Sequence, residues 1–396
     1  MQNREWTIRS LVAHGALTAA ALFLVFSATA GALGETATGK LKFVNVADST
    51  QGFSGLSQFP AINNRGEVAF VANWTDSGQG VFRWEDGGIS TIVSNRGLKS
   101  FGDDVAINSA GVVAYDASLA SSANDRAIFI SNGSWTRLIV DSNQEGFIGN
   151  FMGSPSINAS GTVAFFAFRK NFSEAVFTGN GGALNTVADT TQGTFSGFQN
   201  AAINNLGQVA FAAAGQDGSQ GVFIATPVED QARDDAKPEA SWTISAVSDP
   251  QNPLFADPFA TFGDPAINDA GFLADVGFLS NQNIEIFTGN AHRVTARTDP
   301  NSSFFTSPEH PSVNNRGAVA FFSKESSGGE GVFVELTGGA SPVGVINTGD
   351  ALFGSFVTGL DLGRFALNDR DQLAFHYDLQ DGRSGVAILS LKQDNN

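Results

Sequence analysis

The chain has 396 residues, 42% hydrophobic and 15% charged, with a net charge of −17 and no cysteine. This composition excludes a disordered chain, a disulfide scaffold, a thiolate metal site and a cysteine nucleophile. An acidic surface repels phosphate backbones and anionic lipid, so neither nucleic acid nor a membrane is an expected partner.

Residues 1–30 read as a secretory signal. Arg4 and Arg9 make a basic start, Leu11 to Phe26 an apolar run, and Ala28-Thr29-Ala30 an Ala-x-Ala cleavage site. The run is shorter than the ~20 residues a spanning helix needs, so export with cleavage is expected over an anchor. Residues 31–40 form a small polar spacer, and the mature protein is expected outside the cytoplasm, extracellular or periplasmic, as a monomer.

The segment Phe43-Val44-Asn45-Val46-Ala47-Asp48 then opens residues 41–392, which read as one repeat domain before a short tail at 393–396. Seven copies of one hairpin follow, aligned on Asn63, Asn108, Asn158, Asn204, Asn268, Asn314 and Asn368. Their spacings of 45, 50, 46, 64, 46 and 54 residues match a propeller blade. Ala or Ser always stands two positions before the asparagine, and Ile, Val or Leu one before. Glycine stands three positions after it in six copies, with Asp371 in the seventh. Alanine always stands six after, followed by Phe in five copies, Tyr115 in one and Asp275 in one.

Small, aliphatic, asparagine is period-two alternation and predicts a strand. Asparagine bonds its own backbone two residues on, and glycine takes positive φ without steric cost, so Asn-x-x-Gly predicts the turn. Val-Ala-Phe begins the next strand with β-branched and aromatic residues. Third strands such as Gly80-Val81-Phe82 and fourth strands such as Ser90-Thr91-Ile92-Val93 complete four per unit. The seventh unit stops after its third strand, near Leu389. The N-terminal segment looks like a fourth strand with nothing before it, since Val46-Ala47-Asp48-Ser49-Thr50-Gln51-Gly52 parallels Val187-Ala188-Asp189-Thr190-Thr191-Gln192-Gly193. These matched deficits predict an all-β, seven-bladed β-propeller of four-stranded antiparallel blades, its ring closed by the N-terminal strand.

Two stretches break the period. Ala225–Ser241 reads as a charged surface excursion within blade four, and Asp249–Phe262 as a packed connecting loop before blade five, with a lid over one face as the alternative.

The seven hairpins resemble the NxxGxxAF repeat of uncharacterised bacterial secreted proteins, over about residues 41–390, with departures at Asp275 and Asp371. The resemblance implies export and no particular activity. The surface-anchoring tail often found with such repeats has no counterpart here.

Candidate functional residues follow from the axis. The first strand of each blade should line the central channel, with positions 0, −2 and −4 from the asparagine on one face. Position −2 is always small because seven strands converge there. The asparagines themselves read as turn caps. Position −4 is irregular and polar: Phe59, Asp104, Ser154, Asn200, Asp264, His310 and Arg364. A ligand-binding site at this channel mouth is assigned to Asp104, Asn200, Asp264, His310 and Arg364, beside Asp103 and Glu309. The competing reading is that these charges pair among themselves or are simply hydrated.

No Gly-x-Ser-x-Gly, His-Glu-x-x-His, P-loop or dinucleotide fingerprint occurs. Of four histidines, His14 falls in the leader, His292 on an expected fourth strand and His376 just after Phe375. Two function classes stay open. One is a non-catalytic binding or scaffold module for a glycan, peptide or protein, needing no cofactor. The other is a hydrolase of the lactonase or phosphotriesterase kind with Ca²⁺ in the channel. Ca²⁺ takes six to eight oxygens, and Asp104 and Asp264 are the ring's two carboxylates, on non-adjacent blades.

Overall fold

Seven antiparallel sheets follow one another along the chain and form a seven-bladed β-propeller of four-stranded blades. A computed structural model describes residues 41–391 except 77, 96–97, 121–124, 144–145, 229–240, 249–262, 279–283, 299–307, 325–327 and 337–340. The leader, the spacer, the tail and the connecting loop before blade five lie outside the described residues. No helix among the described residues is long and apolar enough to cross a membrane.

Blade two shows the pattern: Leu98–Ile107, Val113–Leu119, Arg126–Ser131 and Thr136–Asp141 pair in sequence order. Blade seven takes Ser355–Asp361, Gln372–Leu379 and Ser384–Ser390 from the C-terminal end and Lys42–Asp48 from the other. Lys42 pairs with Ser390 and Asp48 with Gly385, with a register shift at Val46. The fourth strand of blade three bulges at the equivalent Val187. After both strands an aspartate, Asp48 or Asp189, caps a 3₁₀ turn that ends on a glycine at φ 89° or 82°. One heptapeptide pattern therefore builds one local structure at both places.

Each blade is glued by phenylalanine. The Phe of the second strand stacks on the Phe of the third in Phe70–Phe82, Phe165–Phe177, Phe211–Phe223 and Phe321–Phe333, at 5.5–5.8 Å between centroids. Such a pair adds roughly 0.5–1.5 kcal/mol beyond its buried area. Blade seven has Ala387 where the others carry the third-strand Phe. Phe43 of the N-terminal strand fills that place, edge-on to Phe375 at 6.2 Å. Blade five has Asp275 opposite Phe287, wholly buried.

Three details differ from the sequence expectation. The first strand is interrupted near position −4: its register shifts between Phe101 and Val105, between Phe198 and Ala201, and between Glu309 and Ser312. Period-two alternation ends at that break, because unpaired residues need not alternate. The third strand of blade four runs on to Val228, paired with Ser241, so the charged excursion is shorter than the spacing implied. His292 sits in the exposed turn before its strand, which begins at Arg293.

Candidate functional site

The hairpin turns meet around the axis at one mouth of the propeller. All seven asparagines are buried there. Each Oδ1 accepts from the backbone N–H four residues on, as Asn63 does from Glu67 and Asn368 from Gln372. This is the turn cap the motif predicts. Each Nδ2 also donates to the backbone carbonyl of the asparagine in the following blade, at 2.9–3.3 Å. Asn368 donates to Asn63 at 2.9 Å, which shuts the circle.

A second ring lies one residue further on: Asn64, Ser109, Ala159, Asn205, Asp269, Asn315 and Asp369. Its amides and carboxylates bond one another from blade to blade. Asn315 Nδ2 donates to Asp269 at 3.0 Å and to Asp369 at 2.9 Å, and Asn64 Nδ2 donates to Asp369 at 2.6 Å. The two rings surround a pocket of about 160 Å³, with Ile62, Ile107, Ile157, Ile203 and Ile267 also in its lining. The sequence reading missed this outer ring. Its signal was present as a polar residue after the asparagine in six copies of seven.

Next along the first strands from the pocket come the position −2 residues. Ala61, Ala106, Ser156, Ala202, Ala266, Ser312 and Ala366 are all buried. Ser156 accepts from Ile203 N–H at 3.0 Å and Ser312 from Leu367 N–H at 3.1 Å, so the two larger members tie adjacent blades.

The opposite mouth carries the residues singled out from sequence. Ser154 joins two of them: its hydroxyl donates to Asp104 at 2.6 Å and its N–H to Asn200 Oδ1 at 2.9 Å. Arg364 is buried. It reaches from blade seven across the axis and donates to the carbonyls of Ser154 at 3.1 Å and Ala201 at 3.2 Å. His310 packs edge-on against Phe59, with ring centroids 4.7 Å apart. Arg364 thus acts as a brace between opposite blades, with its guanidinium 4.9 Å from the Phe365 ring.

Two further carboxyls, unmarked by any local motif, back this mouth. Asp116 pairs with Arg126. Burial pushes its carboxyl up to about 6, against the pull of Arg126. The bulge makes room for it: a methyl group on Gly102 would lie 2.0 Å from Asp116 Oδ1. Burial also raises the Asp275 carboxyl well above its ordinary range. The Val276 N–H opposes this, and neighbouring Asp264 adds to it. Among the described residues, no group of three or more His, Asp or Glu side chains is placed to hold a metal ion.

His376 Nε2 lies 3.0 Å from Ser384 Oγ, a pairing invisible in the sequence. Burial lowers the imidazole's pKa. Among the described residues its buried Nδ1 has no hydrogen-bond partner. A nucleophile–base pair needs a third group to orient the base, so this contact fits a cross-strand tie.

No protein-family model matches the chain, and no curated protein matches it. Solved structures share its fold at low identity. A Mycobacterium tuberculosis puromycin-hydrolyzing peptidase superposes with a TM-score of 0.57 at 10% identity, over 86% of this chain and 52% of its own. Prolyl oligopeptidase B from Galerina marginata gives 0.52 at 9% identity, over 87% and 50%. The BP39L lectin from Burkholderia pseudomallei gives 0.42 at 14%, over 86% and 98%. The chain spans about half the length of the two peptidases, and what it shares with them is the propeller.

Proposed function

We propose that this chain is an exported, non-catalytic binding or scaffold module that receives a glycan, peptide or protein on one propeller face. We place it with the NxxGxxAF-repeat proteins. The observation that carries the binding reading is the pocket at the turn mouth. It is concave and lined by amides, carboxylates and aliphatic side chains. Such linings orient a ligand. Among the described residues the lining also holds the Ser109 hydroxyl and the carboxylates of Asp269 and Asp369.

The test is a thermal melt in Ca²⁺ and in EDTA, run beside lactone and phosphotriester hydrolysis assays. The binding reading expects the same midpoint in both and no turnover above buffer. A midpoint raised by Ca²⁺ together with Ca²⁺-dependent turnover would establish the hydrolase instead.

A further inference from the structure

The outer ring around the turn mouth is incomplete, and the gap has a chemical character. In five blades the backbone N–H at this position is capped by a side-chain oxygen of the following blade. Ala159 donates to Asn205, Asn205 to Asp269, Asp269 to Asn315, Asn315 to Asp369, and Asp369 to Asn64, at 2.7–2.8 Å. For Asn64 and Ser109 the residue at this position in the following blade is Ser109 and Ala159. Among the described residues, neither N–H has a side-chain acceptor. Two adjacent backbone donors and the Ser109 hydroxyl therefore share one arc of the rim.

Acceptors stand elsewhere on the same rim. Asp269 accepts from Asn205 N–H, Asn205 Nδ2 and Asn315 Nδ2. Asp369 accepts from Asn315 N–H, Asn315 Nδ2 and Asn64 Nδ2. A carboxylate has about four acceptor sites, so each retains one for a ligand.

We propose that this pocket is a binding site for a single neutral sugar residue. The proposal rests on the binding-module reading and names its ligand. An anion is disfavoured by two carboxylates on the rim and a net charge of −17. A cation is disfavoured by the positive ends of two uncapped N–H dipoles. A neutral ligand that donates and accepts at neighbouring atoms satisfies both arcs, and vicinal hydroxyls do this. Ile62, Ile107 and Ile157 border the pocket but are buried, so the accessible wall is mainly polar, as a polyhydroxylated ligand requires. The volume, about 160 Å³, is below the roughly 300–1,000 Å³ of drug-sized sites, which suits one residue and not a chain.

The test titrates the protein calorimetrically with glucose, galactose, mannose and N-acetylglucosamine. The variant that reads the mechanism is Ser109→Asn with Ala159→Asn, which completes the ring and fills the gap. At least one sugar should bind the natural chain, and the double variant should weaken it by about tenfold or more, as expected for losing two hydrogen bonds. The variant's melting midpoint should match or exceed that of the natural chain, because it gains two caps. Ala159→Asn alone, expected to weaken binding less, serves if the pair fails to fold. Absence of saturable binding by any of these sugars overturns the proposal, as does binding that survives the double variant unchanged. Binding of a peptide but no sugar overturns the sugar assignment and leaves the binding module standing. Sugar binding abolished by Arg364→Met but kept by the double variant moves the site to the other mouth.

Discussion

Asn204 shows how much one side chain carries in this fold. Its Oδ1 accepts from the N–H groups of Leu206 and Gln208, and its Nδ2 donates to the carbonyl of Asn268 in the next blade. Asn204→Ala strands two partly buried donors and loosens a buried blade contact, so we expect a loss of about 2–3 kcal/mol in urea denaturation. Asn205→Ala, one residue on but exposed, should cost less than about 1 kcal/mol by the same measure. Equal losses would mean that the inner ring does not act as described. The capping half of this role is legible from Asn-x-x-Gly, because both partners lie within four residues. The bond to the next blade is not, because its acceptor is 64 residues away and only the closed ring brings it near.

At the scale of one strand, Lys42–Asp48 does what no other segment does: it closes the sheet of blade seven from the far end of the chain. Val46 and Ala47 are buried, and Tyr377 donates to Asn45 at 3.1 Å. Removing residues 41–48 uncovers the edge of Ser384–Ser390 and leaves Phe375 without Phe43. The truncated chain should lose at least about 3 kcal/mol from lost Val and Phe burial. It should also associate through the bare edge, visible as a concentration-dependent rise in sedimentation coefficient. A truncated chain that stays monomeric with an unchanged urea midpoint would contradict this. The pairing was readable beforehand from one surplus fourth strand and one missing fourth strand. The interruption of the first strands was not, because Gly102-Asp103-Asp104 looks locally like any strand that carries a glycine. In blade two the break leaves room for Asp116, whose carboxylate a side chain at position 102 would meet, and the same break recurs in blades four and six.

For the whole molecule, buried and half-buried carboxyls set the response to pH. Asp116 and Asp361 titrate at about 6, raised first by burial, and Asp275 is raised well above its ordinary range. In the unfolded chain all three titrate near 3.9. The native state holds their protons more tightly, so their contribution is fully present below the unfolded value and is lost as pH rises through the folded ones. Asp275→Asn removes one such group while keeping its shape. The variant should gain stability relative to the natural chain as pH rises from about 4 to about 8, read from paired urea midpoints. A gap that stays constant with pH would show that Asp275 is charged in both states. By itself the sequence determined seven four-stranded units, their turns and the partner of the N-terminal strand. Those are consequences of local hydrogen-bond chemistry and of hydrophobic periods that recur along the chain. Only the tertiary structure decided which side chains face one another around the axis. Arg364 as a brace, Asp275 as a buried acid and the gap beside Ser109 and Ala159 all depend on groups from different blades. No spacing rule along one chain encodes such a distance across a ring.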